Sequence, residues 1–354
     1  MRTQPHSRSA QRGIAVITAM LVVTIATVLA VEMAWQSSID LRRTESLLAW
    51  DQARQFGLGA ETYAASLLAD KLSDQSGSPA VYSRTDDEQA CGGFQFALDQ
   101  EGVSGAMTGG VCDLQARFNL NNLVDPSGRK NESAAKQFRR LLEAISAIDE
   151  AVDIDPVTAD TIVESAIDWI DPDTTADFNG AEDDTYTSEQ PPYRAANFWF
   201  TSVSEIRAVR GVTPEIYAAL LPYLAALPIA AGESTTINVN TASVAVLMSL
   251  GDDVRPENAL EWVRQSKEEP FKDVTSFAKF VDESMYPSIG FSSRYFALQG
   301  LVAIGSSRLG MYSLLESDGQ KVSPRLRQFD VVDTVPAKAQ AVTDEEEQRV
   351  DGNE

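Results

Sequence analysis

Gly13-Ile14-Ala15-Val16-Ile17-Thr18-Ala19-Met20-Leu21-Val22-Val23-Thr24-Ile25-Ala26-Thr27-Val28-Leu29-Ala30-Val31 contains no charged side chain, and Arg2, Arg8 and Arg12 precede it without an intervening acid. As a helix rising about 1.5 Å per residue, the stretch from Ile14 to Val31 is roughly 27 Å long, close to the ~30 Å hydrocarbon core of a bilayer. A basic flank ahead of an apolar run puts the N-terminus in the cytoplasm and the remainder outside. No proline occurs between Pro5 and Pro79, and beyond the apolar run Leu41, Leu47, Leu48, Phe56, Ala60, Tyr63, Ala64, Leu67 and Leu68 recur at helical spacing. One helix is expected from Ile14 to about Leu72, its first half in lipid and its second half amphipathic.

Three readings of this N-terminus compete. A signal peptide cut after its apolar run needs an Ala-x-Ala site, and only Val28-Leu29-Ala30 comes near. A plain signal anchor is the second. In the third, cleavage precedes the apolar run, between Gly13 and Ile14, so that the hydrophobic helix is the mature N-terminus. Gly13 followed by Ile14-Ala15-Val16-Ile17 resembles the type III leader of prepilins and pseudopilins. The helix that continues past the membrane favours this reading, because an ordinary anchor needs no such extension.

Composition excludes much else. The chain has 354 residues, with 29 Lys and Arg against 52 Asp and Glu, a net charge of −23. Such a surface repels nucleic-acid phosphates, whose binding rests on Lys and Arg displacing counterions. His6 is the single histidine and lies in the leader, so the processed chain has no Ser-His-Asp or Cys-His machinery and no His-based zinc site. Cys91 and Cys112 are too few for a structural zinc; in an oxidising compartment they are expected to form a disulfide closing a loop of about 20 residues, contributing ~3 kcal/mol in the chain-entropy model.

The exported part alternates between strand and helix patterns. A polar stretch from Ser73 to Gln89 reads as a loop. Phe94, Phe96 and Leu98 predict one strand, and Leu114, Ala116, Phe118 and Leu120 a second, with the cysteines bracketing the hairpin. From about Asn121 to Ser288 the pattern is helical. Phe138, Leu141, Leu142, Ile145 and Ile148 form one stripe, and Asp155-Pro156 opens the next helix. Ser202-Val203-Ser204-Glu205 is a capping box with Gly211 as its stop, Thr213-Pro214-Glu215 starts another helix, Thr241 caps a run to Gly251, and Arg255-Pro256-Glu257 begins the last. Phe118-Asn119-Leu120-Asn121-Asn122 and Ile237-Asn238-Val239-Asn240-Thr241 echo each other, with asparagines fixing the entry into two related helical subdomains. Strands return at Tyr295 to Ile304, Met311 to Glu316 and Arg325 to Val332, with an Asp318-Gly319 hairpin signal; the acidic end from Pro336 reads as disordered.

The order is long helix, strands, helical block, strands. The expected fold class is α+β: a long N-terminal helix on a small antiparallel sheet, with a large all-α domain inserted between strands. Expected units are 1–13 (leader), 14–31 (membrane), 32–117 and 291–335 (helix-plus-sheet domain), 118–290 (helical, subdividing at about 118–228 and 234–290) and 336–354 (tail).

The strings Asp113-Leu114-Gln115-Ala116-Arg117-Phe118-Asn119-Leu120-Asn121-Asn122-Leu123, Gly180-Ala181-Glu182-Asp183-Asp184, Pro192-Tyr193-Arg194-Ala195-Ala196-Asn197, Ser202 to Gly211, and Ile237 to Ala242, together with the leader, resemble the K-type minor pseudopilins of bacterial type II secretion systems. The resemblance covers nearly the whole chain except the acidic tail. It implies a pseudopilin fold, insertion in the inner membrane with the bulk of the chain periplasmic, and leader cleavage and N-methylation by the prepilin peptidase at Gly13 and Ile14. It further implies a non-catalytic tip complex with I- and J-type minor pseudopilins, on the inner-membrane assembly platform and with secreted cargo as a further partner. Counting Ile14 as the first mature residue, the fifth is Thr18, where most pilins carry glutamate. A carboxylate at that depth is costly in lipid and pairs with a neighbour's terminal amine. The K-type members lack it, as this chain does, which suits the first subunit of a fibre.

Between Asp168 and Glu189 lie eight acids and no Lys or Arg. Asp171, Asp173, Thr175, Asp177, Asn179 and Glu182 fall at positions 1, 3, 5, 7, 9 and 12 of an EF-hand-like ladder, but Ala176 replaces the turn glycine and Pro172 follows the first ligand. The reading is a loop calcium site. K-type pseudopilins resemble this in binding calcium, and Asp171, Asp173, Glu182, Asp183 and Asp184 are the expected structural ligands.

Two other classes are weighed. Residues Ile237 to Val274 look like the helix-hairpin-helix module of membrane-anchored DNA-uptake proteins, but Asp252-Asp253 follows Gly251 where phosphate would need cations. A hydrolase using paired carboxylates of the 168–189 loop lacks a shaped pocket and an oxyanion partner.

Overall fold

The computed structural model describes residues 11–73, 81–100, 103–149, 152–229, 234–276, 281–305 and 307–331. The first ten residues of the expected leader and the acidic tail at 336–354 lie outside them. Helix α1 runs unbroken from Gln11 to Ser73, about 95 Å at 1.5 Å per residue. Its first half exposes Ile14, Ile17, Leu21, Val28 and other apolar side chains on every face, as a helix surrounded by lipid requires. Its second half is one-sided. Ala53, Gly57, Glu61, Ala64, Leu68 and Leu72 recur every three or four residues and are all buried, so one narrow stripe packs on the sheet. The stripe is small near its start: a Cβ on Gly57 would stand 3.0 Å from Met311 Sδ.

That sheet has five antiparallel strands in the order β1-β2-β7-β8-β9: β1 is Phe94–Gln100, β2 Val103–Asp113, β7 Tyr295–Ile304, β8 Ser307–Ser317 and β9 Val322–Val331. Gly319, at φ +89°, makes the Asp318–Lys321 turn between the last two. Buried Glu61 locks α1 on this surface: Arg327 of β9 donates to both its carboxylate oxygens, and Ser313 of β8 donates its hydroxyl at 2.6 Å.

The second strand corrects the sequence reading. It is β2, not Leu114 to Leu120. Gly105, Gly109 and Gly110 hide the alternation of β2, yet a Cβ on Gly105 would sit 2.3 Å from the Ala303 carbonyl oxygen. Leu114, Gln115, Phe118, Asn119 and Leu120 are buried regardless of parity, because this segment leaves the five-stranded sheet and turns into the helical region. The loop expected over Ser73 to Gln89 is corrected as well: its end belongs to helix α2, Arg84–Cys91, which opens on a complete capping box between Ser83 and Asp86. The Cys91–Cys112 disulfide ties the end of α2 to β2.

Between neighbouring strands β2 and β7 the chain builds α3 (Glu132–Ile148), α4 (Pro156–Ile170), α5 (Asp183–Tyr186), α6 (Pro214–Leu220), α7 (Val244–Met248) and α8 (Pro256–Glu268) around one large apolar core. The region is not wholly helical. β3 (Phe118–Asn119) pairs in parallel with β4 (Leu224–Ala225), and β5 (Ile237–Asn238) with β6 (Ile289–Gly290). Asp155 caps α4 through the amides of Val157 and Thr158, and Thr213 caps α6 through Ile216. The Ser202 capping box opens a short 3₁₀ helix, Val203–Ala208. Thr241 does not cap α7; Ser243 does, because the Thr241 hydroxyl is donated to Asp113.

The asparagine echo has a hydrogen-bonding counterpart. Asn121 Oδ1 accepts from the Phe200 amide at 2.8 Å, while its Nδ2 donates to the Phe200 carbonyl at 2.9 Å. Asn240 does the same to Phe271, at 2.7 and 3.0 Å. Asn119 and Asn238 each accept the amide two residues ahead.

Candidate metal centre

Helix α4 delivers the acidic loop. Asp171 is its C-cap residue, with its amide on the Ile167 carbonyl; Asp173 follows, and Glu182 precedes α5. The three offer carboxylate oxygens lying within 4.8 Å of one another. Glu182 is 4% exposed, and neither of its carboxylate oxygens nor Asp171 Oδ1 has a hydrogen-bond partner. Unpaired carboxylate oxygens inside a protein are costly unless neutralised.

The loop is held by second carboxylates that sequence reasoning did not nominate. Asp168, buried on the last turn of α4, accepts the Asp177 amide at 3.2 Å, and Glu164 accepts the amide of Asn179. Gly180 packs flat on Asp168: a Cβ there would fall 1.9 Å from Asp168 Oδ2. Asn197, at φ +43°, reaches back to donate to the Asp173 carbonyl at 2.7 Å. Gly180 and Asn197 were legible only as members of quoted motifs; Glu164 sits on an ordinary helix face and gave no signal.

Of the five nominated ligands the structure gathers Asp171, Asp173 and Glu182. Asp183 turns away, accepting the Ala195 amide at 3.1 Å and facing Arg194 at 3.5 Å, and Asp184 is exposed at the start of α5. Asp177 of the ladder pairs with Lys130 at 3.1 Å. Burial, reinforced by the surrounding acids, pushes Asp168 and Glu182 up to about 7; burial and then the Asp173 charge raise Asp171 to about 6. Three convergent hard oxygens and a strained negative field fit a hard divalent cation; Asp171, Asp173 and Glu182 are the residues that would hold it. Trp169 lies in the same turn, edge-on to Tyr186 at 5.4 Å.

The other nominated positions are separate. Cys91 and Cys112 are bonded to each other. Gly13 and Ile14 lie near the start of α1. Thr18 donates its hydroxyl to the Ile14 and Ala15 carbonyls, 3.0 Å each, so the side chain satisfies itself within its own helix.

Residues 116–229 and 237–284 match two family models, both described as type II secretion system protein K. The chain is 30% identical over 348 residues to type II secretion system protein K of Pectobacterium carotovorum subsp. carotovorum, covering 93% of this chain and 99% of that one. It is 32% identical over 317 residues to the protein of the same name from Pseudomonas aeruginosa, covering 87% and 90%. Among solved structures it resembles a chain of the GspK-GspI-GspJ complex from the type 2 secretion system of enterotoxigenic Escherichia coli, with a TM-score of 0.65 and 27% identity over 81% of this chain and 99% of that chain. These matches do not favour the DNA-uptake reading. A long N-terminal helix, an antiparallel sheet and the matched segments between strands together make this chain a member of the type II secretion system protein K family, the K-type pseudopilins.

Proposed function

We propose that the chain is a non-catalytic minor pseudopilin that initiates the secretion pseudopilus and stands at its tip with I- and J-type partners. The likeness to a chain solved together with GspI and GspJ carries the reading. Shape supports it. The helical block meets the C-terminal end of α1, where Leu72, Pro228, Ser234 and Ser293 line one cleft. A bulky block at that end of the rod fits the end position of a fibre better than a repeated one. Thr18, satisfied within its own helix, needs no neighbour's amine.

The apolar half of α1 is a single-pass membrane anchor. The basic leader supports an orientation with the N-terminus cytoplasmic and the remainder periplasmic. The prepilin peptidase would cut between Gly13 and Ile14 and methylate Ile14, after which the assembly platform receives the subunit. Residues 118–290 are read as a helical domain inserted in the pseudopilin domain, divided near 228–234. The cation is read as calcium, structural, on Asp171, Asp173 and Glu182.

Deleting the gene from the parent bacterium tests the role. Pseudopilus assembly and export are expected to fail and to return with the intact chain; assembly that proceeds unaided would remove the initiating role.

A further inference from the structure

The block between β2 and β7 joins the sheet through two chain crossings, and these are neighbours. Asp113 pairs with Phe296 across the ladder, the Leu114 amide bonds the Tyr295 carbonyl at 3.0 Å, and the Arg294 amide bonds Gln115 Oε1. Two adjacent attachments define a hinge line, about which a body turns unless a third contact holds it off that line.

Ala225 and Leu227 of the block pack on Tyr295, Ala297 and Leu314, beside the same crossings. We propose that α2 is the polar contact that holds the block off this line: a brace that fixes its orientation relative to the membrane helix. Five of its eight residues tie it to three bodies. Lys71, at the end of α1, meets Asp86 at 2.6 Å. Toward the sheet, Asp87 accepts the Asp113 amide at 2.7 Å, and Cys91 is bonded to Cys112. Toward the block, Arg84 enters the interior, 2% exposed. Its Nη2 donates to the Ala242 carbonyl at 2.5 Å ahead of α7, and its Nε to Ser266 Oγ at 3.2 Å on α8. Glu88 adds Lys267 of α8 at 3.5 Å. A helix with no apolar face of its own is kept by these anchors, and burying a guanidinium among backbone and hydroxyl acceptors holds direction as well as distance. The brace makes the block and the membrane rod turn as one piece.

The test is a distance distribution between labels on noncanonical residues at Thr62 of α1 and Arg264 of α8, both exposed, in the full chain in nanodiscs. Arg84→Met is expected to broaden the distribution at least two-fold while amide protection in β7 and β8 is unchanged. An unchanged width overturns the proposal, as does broadening that comes with lost protection in the sheet. If Arg84→Met does not fold, Glu88→Lys replaces it. Broadening is then expected, reversed by adding Lys267→Glu; no broadening, or no reversal, overturns the proposal.

Discussion

The Asp113 carboxylate accepts the hydroxyl hydrogen of Thr241 at 2.6 Å, across 128 residues of sequence. The same Oδ2 accepts from Ser293 and from Asn238 Nδ2, while Oδ1 takes the Gln115 amide. One buried acid at the end of β2 thus gathers both crossings and the first turn of the second asparagine motif. Asp113→Ala would leave these donors without an acceptor and is expected to destabilise the chain by about 3 kcal/mol, read as the shift of a urea midpoint.

Asp87 lies beside Asp113, and burial followed by the Asp113 charge raises it to about 7. Its folded pKa therefore exceeds the unfolded value near 4. The folded chain holds the extra proton between about pH 4 and 7, and this contribution to stability falls as pH rises through that window. Asp87→Asn keeps the acceptor and removes the charge. The variant is expected to match the parent near pH 4 and to exceed it by on the order of 1 kcal/mol at pH 7.5. Denaturation midpoints across that range check it; a difference that stays constant with pH would contradict the assignment.

Calcium is expected to raise Tm, and chelation to reverse the rise. At a hundred times Kd the gain is about 2.7 kcal/mol, several degrees for a block of this size. Protons compete at Glu182 and Asp171, raised to about 7 and about 6, so affinity falls from pH 7.5 to 5.5. Glu182→Gln is expected to abolish both the Tm shift and terbium luminescence sensitised through Trp169.

Gly180→Ala places a methyl where Asp168 Oδ2 already stands. The loop would have to leave its seat on α4, with a loss of about 3 kcal/mol or more. Calcium binding is expected to weaken with it, measured by calorimetric titration.

Asn121→Ala and Asn240→Ala each remove a two-bond clasp on a buried backbone, to Phe200 and Phe271. Each is expected to cost about 2–4 kcal/mol. Equal losses at both sites would mark the two motifs as the same device; a neutral result at either contradicts it.

Local signals were legible wherever a residue acts on its own neighbours. Asp155 and Pro156 open α4, and unbroken apolar spacing gives α1. The sequence hides what distant partners decide. Thr241 looks like a cap until Asp113 takes its hydroxyl. Gly105 looks like a break until β7 lies against it. Helix α2 has no apolar stripe, and only Ser83 with Asp86 announces it. At the candidate metal centre the spacing located Asp171, Asp173 and Glu182, but α5 begins at Asp183 and swings that carboxylate to Ala195. The holding acids Glu164 and Asp168 belong to the preceding helix and are placed by its packing.

Native mass spectrometry of the processed chain, produced with the I- and J-type minor pseudopilins of its own bacterium, tests the tip assignment most directly. A one-to-one-to-one complex beginning at a methylated Ile14 is expected. Isolation of the chain alone, beside an I–J pair that forms without it, would contradict the account.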